Sequence, residues 1–177
     1  NLLDLTSQLL FRGIYWFRNQ VISGEFDFKL IKPMSPLFQV MTRETDALDL
    51  PLLFLTVAYL ATFLSDFTLI NSLLFSLYLF IAFLIIAAIH IFVAALGVLT
   101  TEVDHTIMIY RDLSAVARVP LNIYGKTLRG LFTYVIPLGL IFTLPAEILL
   151  GLIAPQTAIL GLFLGMVFVI ASFKSWE

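Results

Sequence analysis

Gly125-Lys126-Thr127 has the closing residues of a phosphate-binding loop, in which backbone N–H groups of a glycine-rich turn cradle an anion and the lysine meets its charge. The position that needs the first glycine holds Pro120, and no strand precedes it, so the cradle cannot form. Glu102 and His105 stand at helical i,i+3 spacing, one half of a di-metal carboxylate pattern. The other half is missing, and capping or surface solvation accounts for both residues. A serine–histidine–acid triad would have to use His90 or His105, the only histidines. His90 lies deep in an apolar run, where an ionisable group is a functional candidate. The alternative is a neutral imidazole bonded to a neighbouring helix. With no cysteine and two histidines, neither a thiolate zinc site nor a histidine-rich metal site is available. No catalytic centre, metal or cofactor is therefore expected. An enzyme would be left with the polar groups Asp104, His105 and Asp112 of one loop.

The elements that would position these residues are set by composition. Of 177 residues, 60% are hydrophobic and 12% charged, against roughly 45–50% and 25% in soluble domains. Mean hydropathy is +1.02. A soluble fold of this size leaves about a third of its chain surface wet, too much for so few polar side chains. The chain is expected to be an integral membrane protein. A net charge of −2 suggests no nucleic-acid partner.

A helical span takes about 20 apolar residues, and a β-barrel would show alternation over segments of about ten, which is absent. The expected fold is therefore all-α, a polytopic transmembrane bundle with four spans at 48–70, 71–100, 130–146 and 158–174, and with amphipathic helices outside it. A turn is expected near Asn71-Ser72, because 67–101 is too long for one crossing. Pro137 and Pro145 can kink the third span, or make it a hinge or re-entrant element. Gly161 and Gly165 form a G-x-x-x-G pair that permits close helix contact in the last span. All 10 Lys and Arg residues precede the first span, lie between the second and third, or follow the fourth. The two alternate connections, 65–72 and 147–157, hold Asp66 and Glu147 but no cation. The positive-inside rule then makes the basic segments cytoplasmic, in a multi-pass cell-membrane protein.

Residues 1–22 read as a helix, either the inner end of a preceding span or a helix on the membrane surface. Ser23-Gly24 ends it, and alternation over 25–30 suggests an extended or turned segment. Ser35 can cap a short helix over 36–43, with Pro36 in its first turn, presenting Leu37, Phe38, Val40 and Met41 to an apolar surface. Such a helix, hung between two spans, is either a lever for a partner or an anchor for the loop. In the 101–129 segment a second helix from Pro120 would place Ile123, Tyr124 and Leu128 on one face, and Arg111 and Asp112 can pair with charges of the first loop.

Two blocks of sequence carry a family resemblance. The run from Val21 to Val40, VISGEFDFKLIKPMSPLFQV, resembles the I-S-G-E-x-D-x-x-L-x-(K/R)-P-x-x-P-L segment of ABC-2 type transporter permeases. A second block, Arg118-Val119-Pro120, Ile123-Tyr124, Leu128-Arg129 and Phe132-Thr133-Tyr134-Val135-Ile136-Pro137, is similar to that of the six-span bacterial group associated with viologen export. The resemblance covers essentially the whole chain and implies that it represents about the last two-thirds of a six-span subunit. It implies a permease of an ABC exporter in the bacterial inner membrane, without ATPase activity of its own. The implied partners are a separate ABC ATPase, a second permease as homodimer or heterodimer, and membrane lipid. The ATPase contact falls on 23–47, with Gly24, Glu25, Phe26, Asp27, Lys32, Pro33 and Arg43, and Arg111, Arg118 and Tyr124 support it from the inner face. A multi-span membrane enzyme and a membrane scaffold or assembly subunit are the alternatives. The few polar groups in the spans (Thr56, Tyr59, Asn71, Ser76, His90) fit an apolar or amphiphilic cargo.

Overall fold

The computed structural model describes residues 2–43, 47–100, 108, 112, 115, 123–152 and 155–176. The described residues fold as helices and turns. The chain starts with a helical rod made of α1 (Leu2–Phe11), a 3-10 stretch (Arg12–Trp16) and α2 (Phe17–Ile22). Short helices α3 (Asp27–Leu30) and α4 (Pro36–Thr42) follow, then α5 (Leu50–Leu64) and α6 (Leu69–Thr100). Beyond them come α7 (Lys126–Gly130), two π-helical turns (Leu131–Val135 and Gly139–Thr143), α8 (Leu144–Leu149) and α9 (Pro155–Trp176).

The 32 residues of α6 extend about 48 Å at 1.5 Å per residue, more than the roughly 30 Å hydrocarbon core. It is the central element. Phe75, Tyr78, Ala82, Ile85 and Ile86 are buried along it at spacings of three and four, the stripe that a packed helix shows. Phe11 of α1 stacks on Phe83 at 5.5 Å between ring centroids. On the other side α9 lies close, because Gly161 and Gly165 carry no Cβ. A methyl group at Gly161 would sit 2.5 Å from a Leu144 methyl, and one at Gly165 would sit 2.7 Å from an Ile81 methyl. The small-residue pair therefore acts as the sequence suggests.

The turn expected at Asn71-Ser72 falls earlier. Ser65, Asp66 and Phe67 bond through their N–H groups to Thr62, Phe63 and Leu64 carbonyls, so α5 tightens and stops. The Thr68 hydroxyl accepts the Asn71 N–H at 3.4 Å and starts α6. The Ser72 hydroxyl reaches back to the Leu64 carbonyl at 3.2 Å. Asn71 and Ser72 are thus in the first turn of α6, because the threonine hydroxyl is the better placed cap.

Among the described residues, three helices are long and apolar enough to cross a membrane: Ala47–Leu64, Leu69–Leu99 and Ala158–Trp176. The expected span over 130–146 is not one rod. At Ile136 the backbone leaves the helix (φ -104, ψ 27), Pro137 has no N–H to continue the ladder, and the chain turns back. Gly139 then lies directly against Thr133, where an added Cβ would be 2.6 Å from the Thr133 hydroxyl. Pro145 lies where the π-helical turn Gly139–Thr143 passes directly into α8, and its missing N–H leaves a carbonyl of the preceding turn without its helical donor.

This reversal changes the charge map. Lys126, Arg129 and Glu147 line one cavity, walled on the far side by Leu160, Gly161 and Leu164. Lys126 and Arg129, expected on the face opposite Glu147, thus line the same cavity as Glu147. That expectation assumed a crossing between Gly130 and Ala146, and the helical hairpin there returns the chain toward its start. The ends of the bundle are otherwise well marked. At one, the Asn71 side-chain amide donates to the Leu149 carbonyl at 3.4 Å. At the other, Trp176 meets Phe17 and Phe26.

Candidate functional site

The site is built on residues 24–43, between the first rod and α5. Gly24 adopts φ 76, a left-handed conformation that a Cβ would disfavour, and ends α2 sharply. Phe26 N–H returns to the Gln20 carbonyl at 3.0 Å, so the chain folds back under the rod. The segment expected to be extended or turned is turned. Asp27 opens the one-turn helix α3, which carries Phe26 and Lys29 inward at i,i+3 spacing and leaves Phe28 exposed. Phe26 packs edge-on against Phe17 at 5.1 Å and faces Trp176 at 6.4 Å.

Lys29 is only 4% exposed, as is Gln20. The Lys29 ammonium donates to the Gln20 side-chain carbonyl. A buried ammonium without such an acceptor would be strongly disfavoured, so this contact fixes α3 to α2. The Gln39 amide extends the lattice, donating to the backbone carbonyls of Lys29 at 3.2 Å and Met34 at 3.1 Å. Helix α4 therefore holds both the preceding turn and α3.

As expected, Ser35 caps α4, its hydroxyl accepting the Phe38 N–H at 3.5 Å. Leu37, Val40 and Met41 are buried, but Phe38, expected on the same apolar face, is exposed. At i+1 from Leu37 it points about 100° away around a helix of 3.6 residues per turn. The opposite side of α4 crosses the first rod at Gly13. A Cβ there would lie 2.1 Å from the Val40 carbonyl oxygen and 3.3 Å from that of Met41. The backbones touch because the residue has no side chain.

The outer face of this unit is a shallow groove of about 430 Å³. Glu25 and Arg43 stand at one edge, paired at 3.3 Å and both half exposed. Phe28, Lys32, Met34 and Phe38 line it further, with Lys29, Gln39 and Thr42 also in its wall. Ile31, 80% exposed, and Leu30 project beside it. Asp27 and Pro33 are exposed on the same turn-rich surface. The arrangement offers apolar anchors within a rim of mixed charge, the make-up of a protein interface.

Of the expected site residues, Gly24, Glu25, Phe26, Asp27, Lys32, Pro33 and Arg43 are brought together in this element, with Phe26 acting from beneath. Arg111, Arg118, Glu102, Asp104 and His105 lie outside the described residues, and Asp112 is exposed. The Tyr124 ring lies edge-on to Phe132 at 6.0 Å. The helix expected from Pro120 is described from Lys126, after Gly125; Ile123 and Leu128 are exposed. His90 bonds through Nδ1 to the Ile86 carbonyl of its own helix at 2.8 Å and packs on Phe11 at 5.2 Å. Gly13, Gln20, Lys29 and Trp176 were not expected in the site. The i,i+3 spacing of Phe26 and Lys29 was the available signal for the last turn of this lattice.

The family model described as ABC-2 family transporter protein matches residues 2–177. No curated protein matches the chain, and no solved structure does.

Proposed function

The chain belongs to the ABC-2 transporter family, a membrane permease of ABC transporters, and from that premise we propose that it is the permease of an exporter driven by a separate ATPase. The ATPase grips residues 24–43 on the cytoplasmic side of a bacterial inner membrane. Glu25, Asp27, Lys32 and Arg43 give the contact its charge pattern, and Phe28, Ile31 and Phe38 give it apolar anchors. Two permease copies, or two related permeases, enclose the path; α5, none of whose described residues is buried, supplies free apolar surface for such an assembly. Its Leu50–Leu64 helix and the start of α6 form one hairpin, so motion of the gripped element reaches the spans directly. The motifs of the chain place it with the viologen-export-like group.

The observation that carries this reading is a rigid, outward-facing knob. It is fastened behind by the Gly13–Val40 crossing and the Lys29–Gln20 contact, with its exposed side left for a partner. Differential binding by ATP-loaded and empty ATPase can then shift the permease between conformations. The test is co-purification of the full-length protein with its cognate ATPase. Lys32→Glu and Phe38→Ala are expected to reduce recovery of the ATPase by about tenfold, the loss of roughly 1.4 kcal/mol of binding. Full recovery with both substitutions in one chain would refute the assignment.

A further inference from the structure

The cavity beside α9 holds two cations, one carboxylate and an apolar wall. We propose that it is a binding site for the headgroup of a phospholipid that carries a phosphate and a primary amine. The hairpin around Pro137 brings Lys126 and Arg129 to the same cavity as Glu147. A guanidinium presents a planar fork that matches phosphate, and a lysine adds a compact charge beside it. Lys126 and Arg129 are exposed one turn apart on α7 and line the same cavity, so both side chains can turn to one phosphate at its mouth.

Glu147 sets the second half of the specificity. It already has a partner, but a carboxylate offers about four acceptor positions and can take an ammonium as well. Phosphate on the cations and ammonium on the carboxylate leaves less uncompensated charge than a purely anionic headgroup would. That balance counts because low-polarity surroundings magnify any unpaired charge.

The size and walls select a lipid. The volume is about 260 Å³, just below the roughly 300–1,000 Å³ of sites that enclose a whole drug-sized ligand. It fits a headgroup whose tails lie outside. Leu140, Leu144, Leu160 and Leu164 line the cavity, and Leu160 and Leu150 are exposed, so acyl chains leave over an apolar edge. This inference does not rest on the ATPase contact, since the occupant is read without any motor.

The experiment is native mass spectrometry of the full-length protein in detergent micelles, offered dioleoyl phosphatidylethanolamine and dioleoyl phosphatidylglycerol at equal concentration. The ethanolamine lipid is expected to be retained about tenfold better, the ratio supplied by one added charge-assisted hydrogen bond. Arg129→Gln and Lys126→Gln lower retention of both lipids, whereas Glu147→Gln removes only the preference for ethanolamine. Arg129→Lys lowers retention less than Arg129→Gln, because it keeps the charge and loses the fork. Circular dichroism at equal protein concentration confirms that each variant keeps its helices, and if Arg129→Gln loses them the Lys126→Gln result decides. Equal retention of the two lipids by the unmodified protein would overturn the proposal. So would unchanged retention in the Lys126 variant, or displacement by soluble glycerophosphoethanolamine as effective as by the lipid, which would leave the apolar wall without a role.

Discussion

Gly13→Ala tests whether the coupling element is seated on the first rod by backbone contact. The new methyl carbon would lie 2.1 Å from the Val40 carbonyl oxygen, whereas carbon–oxygen contacts settle at about 3.3 Å. Helix α4 must therefore retreat by about 1.2 Å. The neighbour is backbone in a capped helix, so no side-chain rotation relieves the clash. Overpacking of this kind costs about 1–3 kcal/mol. The better helix propensity of alanine returns about 0.5–1 kcal/mol. The difference is up to about 2.5 kcal/mol, and a mid-range loss of about 1–2 kcal/mol raises the locally open population roughly 5- to 30-fold. Cleavage by trypsin after Lys29 reports that opening, because the side chain is shielded in the closed element and proteolysis follows the open population when closing is fast. The cleavage rate is expected to rise by a similar factor. Gly130→Ala is the control, since nothing lies within 4 Å of its Cβ position, and it should leave the rate unchanged. A Gly13→Ala protein cut at the unmodified rate, with an unchanged thermal midpoint, would refute the seating.

Lys29→Met leaves the buried Gln20 amide oxygen without its ammonium donor and should lower stability by about 1–3 kcal/mol; adding Gln20→Leu should recover part of it in thermal unfolding. The exposed Glu25–Arg43 pair should contribute under about 1 kcal/mol to folding, so Arg43→Glu is expected to reduce ATPase co-purification while the thermal midpoint stays put; an equal fall in both would remove Arg43 from the contact. Gly165→Ile pushes against Ile81, and overpacking should lower the unfolding midpoint by an equivalent of about 1–3 kcal/mol with helix content preserved by circular dichroism.

The spans of this chain are legible because lipid leaves the backbone no alternative to the helix, so runs such as 69–100 announce themselves. Ser35 and Pro36 were readable for a similar reason, since cap chemistry is local. What failed was whatever depended on a neighbour distant in sequence. Pro137 and Gly139 are compatible with a bend or a reversal, and only the fit of Gly139 against Thr133 decides between them. The cavity that Lys126 and Arg129 share with Glu147 depends on that choice, because a charge rule counts flanks and presumes that the intervening segment crosses. Lys29 looked like one more solvated cation in a polar run. Its burial follows from the return of Phe26 to Gln20, and the i,i+3 spacing of Phe26 and Lys29 was its one local trace.

Helix α9 has one end in the aromatic cluster with Phe17 and Phe26 and, some twelve residues earlier, Gly161 and Leu164 in the wall of the headgroup cavity. An unbroken α-helix is stiff along its axis, and Gly161 and Gly165 seat it closely against Leu144 of α8 and Ile81 of α6. It is placed to work as a piston: a small axial stroke at the coupling knob would arrive about 18 Å away, at 1.5 Å per residue, as a change in the width of a lipid-sized cleft.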